Sequence, residues 1–110
     1  MSFRKQQLNS LIRNEVTQAM QREVDFPMGA LVSVTEVRVS NDLNYADVMI
    51  SVFPSNKKGG ALKSLNAKRA EIQTILFKKM NIATLPRLRF NYDPGVEKSA
   101  NIEKITLGDR

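Results

Sequence analysis

Residues 45–53, YADVMISVF, alternate without a break. Ala46, Val48, Ile50 and Val52 fall on one side, and Tyr45, Asp47, Met49, Ser51 and Phe53 on the other. Successive strand side chains point to opposite faces, so this run is a strand with one apolar face. Such a strand needs a partner and a layer to cover that face. The partner is legible just upstream: LVSVTEVRV, residues 31–39, is rich in β-branched residues. SNDLN, residues 40–44, is a turn, so the two runs form an antiparallel hairpin. The upstream run slips phase, with Val32 and Val34 on one parity and Val37 and Val39 on the other. A bulge near Thr35–Glu36 would return all four to one face.

The covering layer is helical. From Ser2, a plausible N-cap, Leu8, Leu11, Ile12, Val16, Ala19 and Met20 recur at three- and four-residue spacing, predicting a helix to about Glu23. DFPMG then breaks it with Pro27 and Gly29. After the hairpin, PSNKKGG (54–60) reads as a short basic loop, and a second helical stretch runs from Ala61 to about Met80. Pro86 precedes a third strand, roughly Arg87 to Tyr92, which points Leu88, Phe90 and Tyr92 one way and Arg87 and Arg89 the other. The expected class is α+β in the order α-β-β-α-β, a three-stranded sheet with helices on one face. The helix between strands two and three is long enough to carry a crossover. One domain is expected over residues 1–110, ordered from about 2 to 93, with 94–110 a short C-terminal helix or tail.

One residue breaks the pattern. A helical wheel places Leu62, Leu65, Ile72, Leu76 and Met80 on one face, with Arg69 near its centre. An unpaired buried charge costs at least several kcal/mol, a large part of a small domain's stability. Arg69 could snorkel to water, or it could pair with Glu15 on the first helix. Alternatively the helix kinks at Ala67–Ala70 and turns Lys68 and Arg69 to an exposed corner.

The chemistry on offer is narrow. The chain has neither cysteine nor histidine, which removes disulfides, thiolate nucleophiles and the commonest zinc and acid–base ligands. No metal or cofactor is expected, and catalysis is the least favoured class. A metal-assisted nuclease on Asp42, Asp47 and Asp93 is a remote reading, because Asp42 and Asp47 flank a turn. Seventeen Lys and Arg against eleven Asp and Glu give a net charge of +6, which draws a domain to polyanions. No apolar run is long enough to span a membrane. MSFRKQQLNS has basic residues with no apolar segment after them, so no secretory signal is expected.

The residues resemble a known family. GALVSVTEVRVSNDLNYADVMISV (29–52), LPRLRFNYD (85–93), QREVDFP (21–27) and SANIEKI (99–105) are together similar to ribosome-binding factor A, a bacterial assembly factor of the small ribosomal subunit. The match covers nearly the whole chain, and no single motif carries it. It implies a type II K-homology-like fold in which the GxxG loop of nucleic-acid-binding relatives is replaced by an interhelical kink, usually Ala-x-Gly. That kink falls on Lys68, Arg69 and Ala70, with Lys68 in place of the alanine and Ala70 in place of the glycine. Because alanine resists positive φ, a mild bend is the expectation here. SANIEKI corresponds to a short closing helix.

The resemblance further implies a cytoplasmic, non-enzymatic RNA-binding monomer that joins free or immature small subunits. It would assist maturation of the 5′ end of 16S ribosomal RNA, chiefly in the cold, with assembly GTPases as further partners. The candidate phosphate contacts are Lys57, Lys58, Lys63, Lys68, Arg69, Lys78, Lys79, Arg87 and Arg89. Phe53 and Tyr45 share the sheet face turned away from the helices, and hairpin packing is favoured over base stacking for both. The rival class is a basic protein-interaction module that binds an acidic partner.

Overall fold

In the computed structural model, which describes residues 2–95, the order is α1 (Ser2–Glu23), β1 (Leu31–Val39), β2 (Tyr45–Phe53), a 3-10 turn (Ser55–Lys57), α2 (Lys58–Ala67), α3 (Arg69–Met80) and β3 (Arg87–Tyr92). The closing helix expected at 99–105 lies outside the described residues. The central strand is β2, antiparallel to β1 and parallel to β3. A parallel neighbour demands a crossover, and α2 and α3 supply it.

The alternation of β2 is realised: Ala46, Val48, Ile50 and Val52 are buried. They meet Ile12, Val16 and Met20 from α1, Leu65 from α2, and Ile72 and Leu76 from α3 in a single core. Among the described residues no helix covers the other sheet face. Leu11, counted in the apolar stripe of the first helix, is instead 52% exposed. It lies about 100° around the helix from Ile12, at the edge of the stripe.

The phase slip in β1 is a bulge. The register runs Val34↔Ile50 and then Glu36↔Met49, so Thr35 is the extra residue and Val34, Val37 and Val39 all reach the core. The Thr35 hydroxyl donates to the Asp93 carboxylate at 2.6 Å, tying the bulge to the chain just beyond β3.

Two expectations need correction. Residues 54–60 are not a loop throughout, because the 3-10 turn occupies 55–57 and α2 begins at Lys58 rather than Ala61. Tertiary contact overrides the poor helix propensity of Gly59 and Gly60. A Cβ on Gly60 would stand 3.0 Å from the Pro27 ring, so glycine lets the start of α2 press against the α1–β1 connection. Ser2, read as an N-cap, is already the first residue of α1, a one-residue shift of the kind common at helix ends.

The β1–β2 turn is held by one carboxylate. Asp42 accepts from the Ser40 hydroxyl at 2.6 Å and from the Asn44 N–H at 3.0 Å, beside Leu43 in the left-handed region at φ 63°. The Ser40 hydroxyl, helped by the Asn44 backbone, holds the Asp42 carboxyl below the usual aspartate range. A carboxyl lowered by folding contributes stability that is complete above its unfolded pKa and is lost as pH falls through the folded one. Asp42→Ala should therefore melt below wild type at neutral pH, and the gap should close as pH drops below about 4. Thermal melts across an acid series check this, and a gap that persists at the acid end counts against it.

Candidate nucleic-acid interface

Residues 57–80 contain seven cations and a single carboxylate, Glu71. This one segment holds the whole net charge of +6, and the rest of the chain is balanced. It is also the crossover, and its cations are exposed or half-buried.

The crossover bends at Lys68, whose φ of −103° and ψ of 5° leave the helical region. The Lys68 N–H donates to the Leu65 carbonyl at 3.1 Å, one residue tighter than an α-helical bond, while its carbonyl accepts from the Ile72 N–H at 2.9 Å. Helix thus resumes after one residue. Among the described residues φ is positive only at Gly29, Leu43 and Asn81, so Ala70 carries no strain and the bend is mild. The break keeps Ala61 and Leu65 on one side of it, and Ile72 and Leu76 on the other, fully buried. Arg69 is thereby moved from the centre of the stripe to a half-buried position.

Glu15 is not its partner. The Glu15 carboxylate meets Lys79 at 3.2 Å instead, because α1 runs past the C-terminal end of α3, where Lys79 also donates to Gln18 at 3.1 Å. The pairing considered from the helical wheel is therefore replaced by one ten residues along.

The remaining cations separate by occupancy. Lys57 donates to the Met28 carbonyl at 2.7 Å, Lys58 sits 4.8 Å from the Tyr92 ring centroid, and Lys68 lies 3.7 Å from Glu71. Lys63, Arg69 and Lys78 have no ion-pair partner among the described residues. An ammonium has three donors, so Lys57 and Lys58 keep capacity for a phosphate.

The two strand arginines belong to a different surface. On the open face Arg89 grips Asp47 with bonds of 2.8 and 3.1 Å and lies 4.2 Å from the Tyr45 ring centroid. The Asp47 hydrogen bond raises the Arg89 pKa, so its charge is fixed and already answered. Beside it Arg38 grips Glu36 at 2.9 and 3.0 Å, which lowers the Glu36 carboxyl. Only Arg87 on β3 is exposed without an ion-pair partner among the described residues. The open face is therefore close to neutral, and the nine candidates do not form one patch. Seven lie on the crossover, and Arg87 and Arg89 lie across the sheet from it.

The three aspartates of the nuclease reading are equally dispersed in role. Asp42 holds the turn, Asp47 holds Arg89, and Asp93 holds Thr35. No cluster of three carboxylates able to hold a metal occurs among the described residues.

Sequence reasoning treated Tyr45 and Phe53 alike, but the structure separates them. Tyr45 lies beneath Arg89, whereas Phe53 is 69% exposed beside Leu31 at 70%. Met28, not singled out from the sequence, is 91% exposed. The signal available for Leu31 was its parity, opposite to Val32 and so on the open side.

A family model described as ribosome-binding factor A matches residues 4–106. The chain is 33% identical to ribosome-binding factor A of Stutzerimonas stutzeri over 97% of its own length and 89% of the relative's. It is 30% identical to that of Halothermothrix orenii over 93% and 84%. Among solved structures, the crystal structure of ribosome-binding factor A from Thermus thermophilus superposes with a TM-score of 0.71 at 25% identity, covering 80% of this chain and 94% of that one. A solution structure from Thermotoga maritima, titled a putative ribosome binding factor A, gives 0.72 at 28% identity, covering 86% and 92%. The fold is thus α+β and K-homology-like. A Thermus thermophilus homology model fitted into a cryo-EM map of a 30S complex with that factor shares the fold, with a TM-score of 0.67 at 24% identity over 79% and 92%.

Proposed function

The chain belongs to the ribosome-binding factor A family, and on that premise we propose that it joins the free or immature small ribosomal subunit. There it assists maturation of the 5′ end of 16S ribosomal RNA by binding RNA, without catalysing a reaction. It acts in the cytoplasm as a monomer, and assembly GTPases are a second class of partner. The observation that carries this reading is the concentration of the entire net charge on residues 57–80. A surface of that kind engages phosphates, while the RNA supplies the shape. The fit of a Thermus relative into a 30S complex supports the choice of subunit.

Cosedimentation tests it. The purified protein should travel with free small subunits and precursor particles and not with translating ribosomes. Equal recovery in both fractions, or in neither, argues against an assembly factor. Affinity for ribosomal RNA should also fall with salt at a log–log slope of roughly −3.5 to −5, if about five to seven of these cations each engage a single-stranded phosphate. A flat salt response points to an acidic protein partner instead.

A further inference from the structure

We propose that Phe53, Leu31 and Met28 form a platform that receives one unpaired RNA base at the edge of the basic surface. The proposal rests on the RNA-binding reading above and names a contact which that reading does not contain.

The three side chains are among the most exposed large apolar groups of the described residues, at 69, 70 and 91%. Two of them are cross-strand neighbours. Leu31 and Phe53 face each other across the β1–β2 ladder, and Met28 lies three residues before Leu31. Lys57 joins this patch to the cationic segment, since its ammonium donates to the Met28 carbonyl at 2.7 Å. The same ammonium nitrogen lies 3.9 Å from where a Cβ on Gly29 would stand. Apolar surface and positive charge therefore meet at one corner, where the chain leaves β2 and enters the crossover.

A ring with a free face beside a lysine is the arrangement that holds single-stranded nucleic acid: bases stack on aromatics while cations follow the backbone. Phe53 is the most exposed described aromatic, ahead of Phe77 at 47% and Tyr45 at 39%. Arg89 already covers Tyr45. A protein partner is disfavoured by size. Even aromatic side chains bury only about 150–250 Å² each, so three side chains fall short of the roughly 800 Å² that a partner normally covers. Lys57, bonded to the Met28 carbonyl, and Lys58 next to it supply positive charge that suits a phosphate backbone.

The test uses the full chain with two probes: a short oligoadenylate RNA carrying 2-aminopurine, and purified small subunits. Phe53→Ala should weaken oligoadenylate binding about five- to 150-fold, the range for loss of one stacked base. Phe53→Trp should preserve it, and Phe53→Leu, which keeps apolar pairing with Leu31 but has no ring, should fall between. The salt slope should match wild type in all three, because stacking releases no counterions. Lys57→Glu with Lys58→Glu should instead make the slope shallower. Melting curves of the Phe53 variants should stay near wild type, since the Leu31–Phe53 pair is exposed. Wild-type oligoadenylate affinity in Phe53→Ala overturns the platform. If that variant loses only small-subunit binding, the patch touches protein and the proposal fails. If even wild type binds no RNA and the lysine reversals are silent, the RNA-binding reading fails with it.

Discussion

Reversing Lys68 and Arg69 to glutamate is expected to weaken small-subunit binding roughly a hundredfold or more while moving the melting temperature by only a degree or two. Two attractive charges become two repulsive ones against phosphates, and like-charge juxtaposition at an interface costs several kcal/mol. Stability is spared because neither side chain is buried. The ion pair that Lys68 gives up, to Glu71 at 3.7 Å, lies on the surface with the partners 44 and 49% exposed. Such pairs contribute about 0–1 kcal/mol. The bend itself is made by backbone bonds at Leu65, Lys68 and Ile72 that the substitution leaves in place. Melting and binding curves measured together decide the matter. Early melting would return Arg69 to the core and make the binding loss uninformative about RNA.

Ile72→Ala should behave in the opposite way. Ile72 is fully buried one turn past the bend, in the cluster that joins α3 to the sheet and α1. Removing a buried isoleucine side chain costs about 2–5 kcal/mol, against a total of about 5–15 kcal/mol for a domain. At roughly 4–8 °C per kcal/mol for a chain of this size, the melting temperature should drop by about 8–40 °C. Binding measured well below that transition should remain near wild type, since no charged group has been touched. Loss of affinity in a variant still folded by circular dichroism would mean that the seating of α3, and not only its charges, shapes the binding surface.

These two outcomes separate what the residue string could say from what it could not. Period two in YADVMISVF, the phase slip around Thr35 and the parity of RLRFNY each reflect a local rule: side chains alternate along a strand, and one extra residue inverts the alternation. Those rules act over a few residues, so the three strands, the bulge and the covered face were legible before any contact was known. The family followed from longer stretches of the same string.

What the periodicity could not show was which charge meets which. Arg69 looked central because a wheel assumes one straight helix. A single residue with φ of −103° left it half-buried, and Lys79, not Arg69, meets Glu15. Arg89 looked available until the parallel register of β2 and β3 placed it opposite Asp47. Phe53 and Tyr45 looked alike until one acquired an arginine over its ring and the other did not. Local pattern set the three strands, their faces, the first helix and the +6 of charge, because those depend on neighbours along the chain. Which cations pair and which do not came from the packing of distant segments, because ion pairs form between residues such as Asp47 and Arg89, brought together by the crossover.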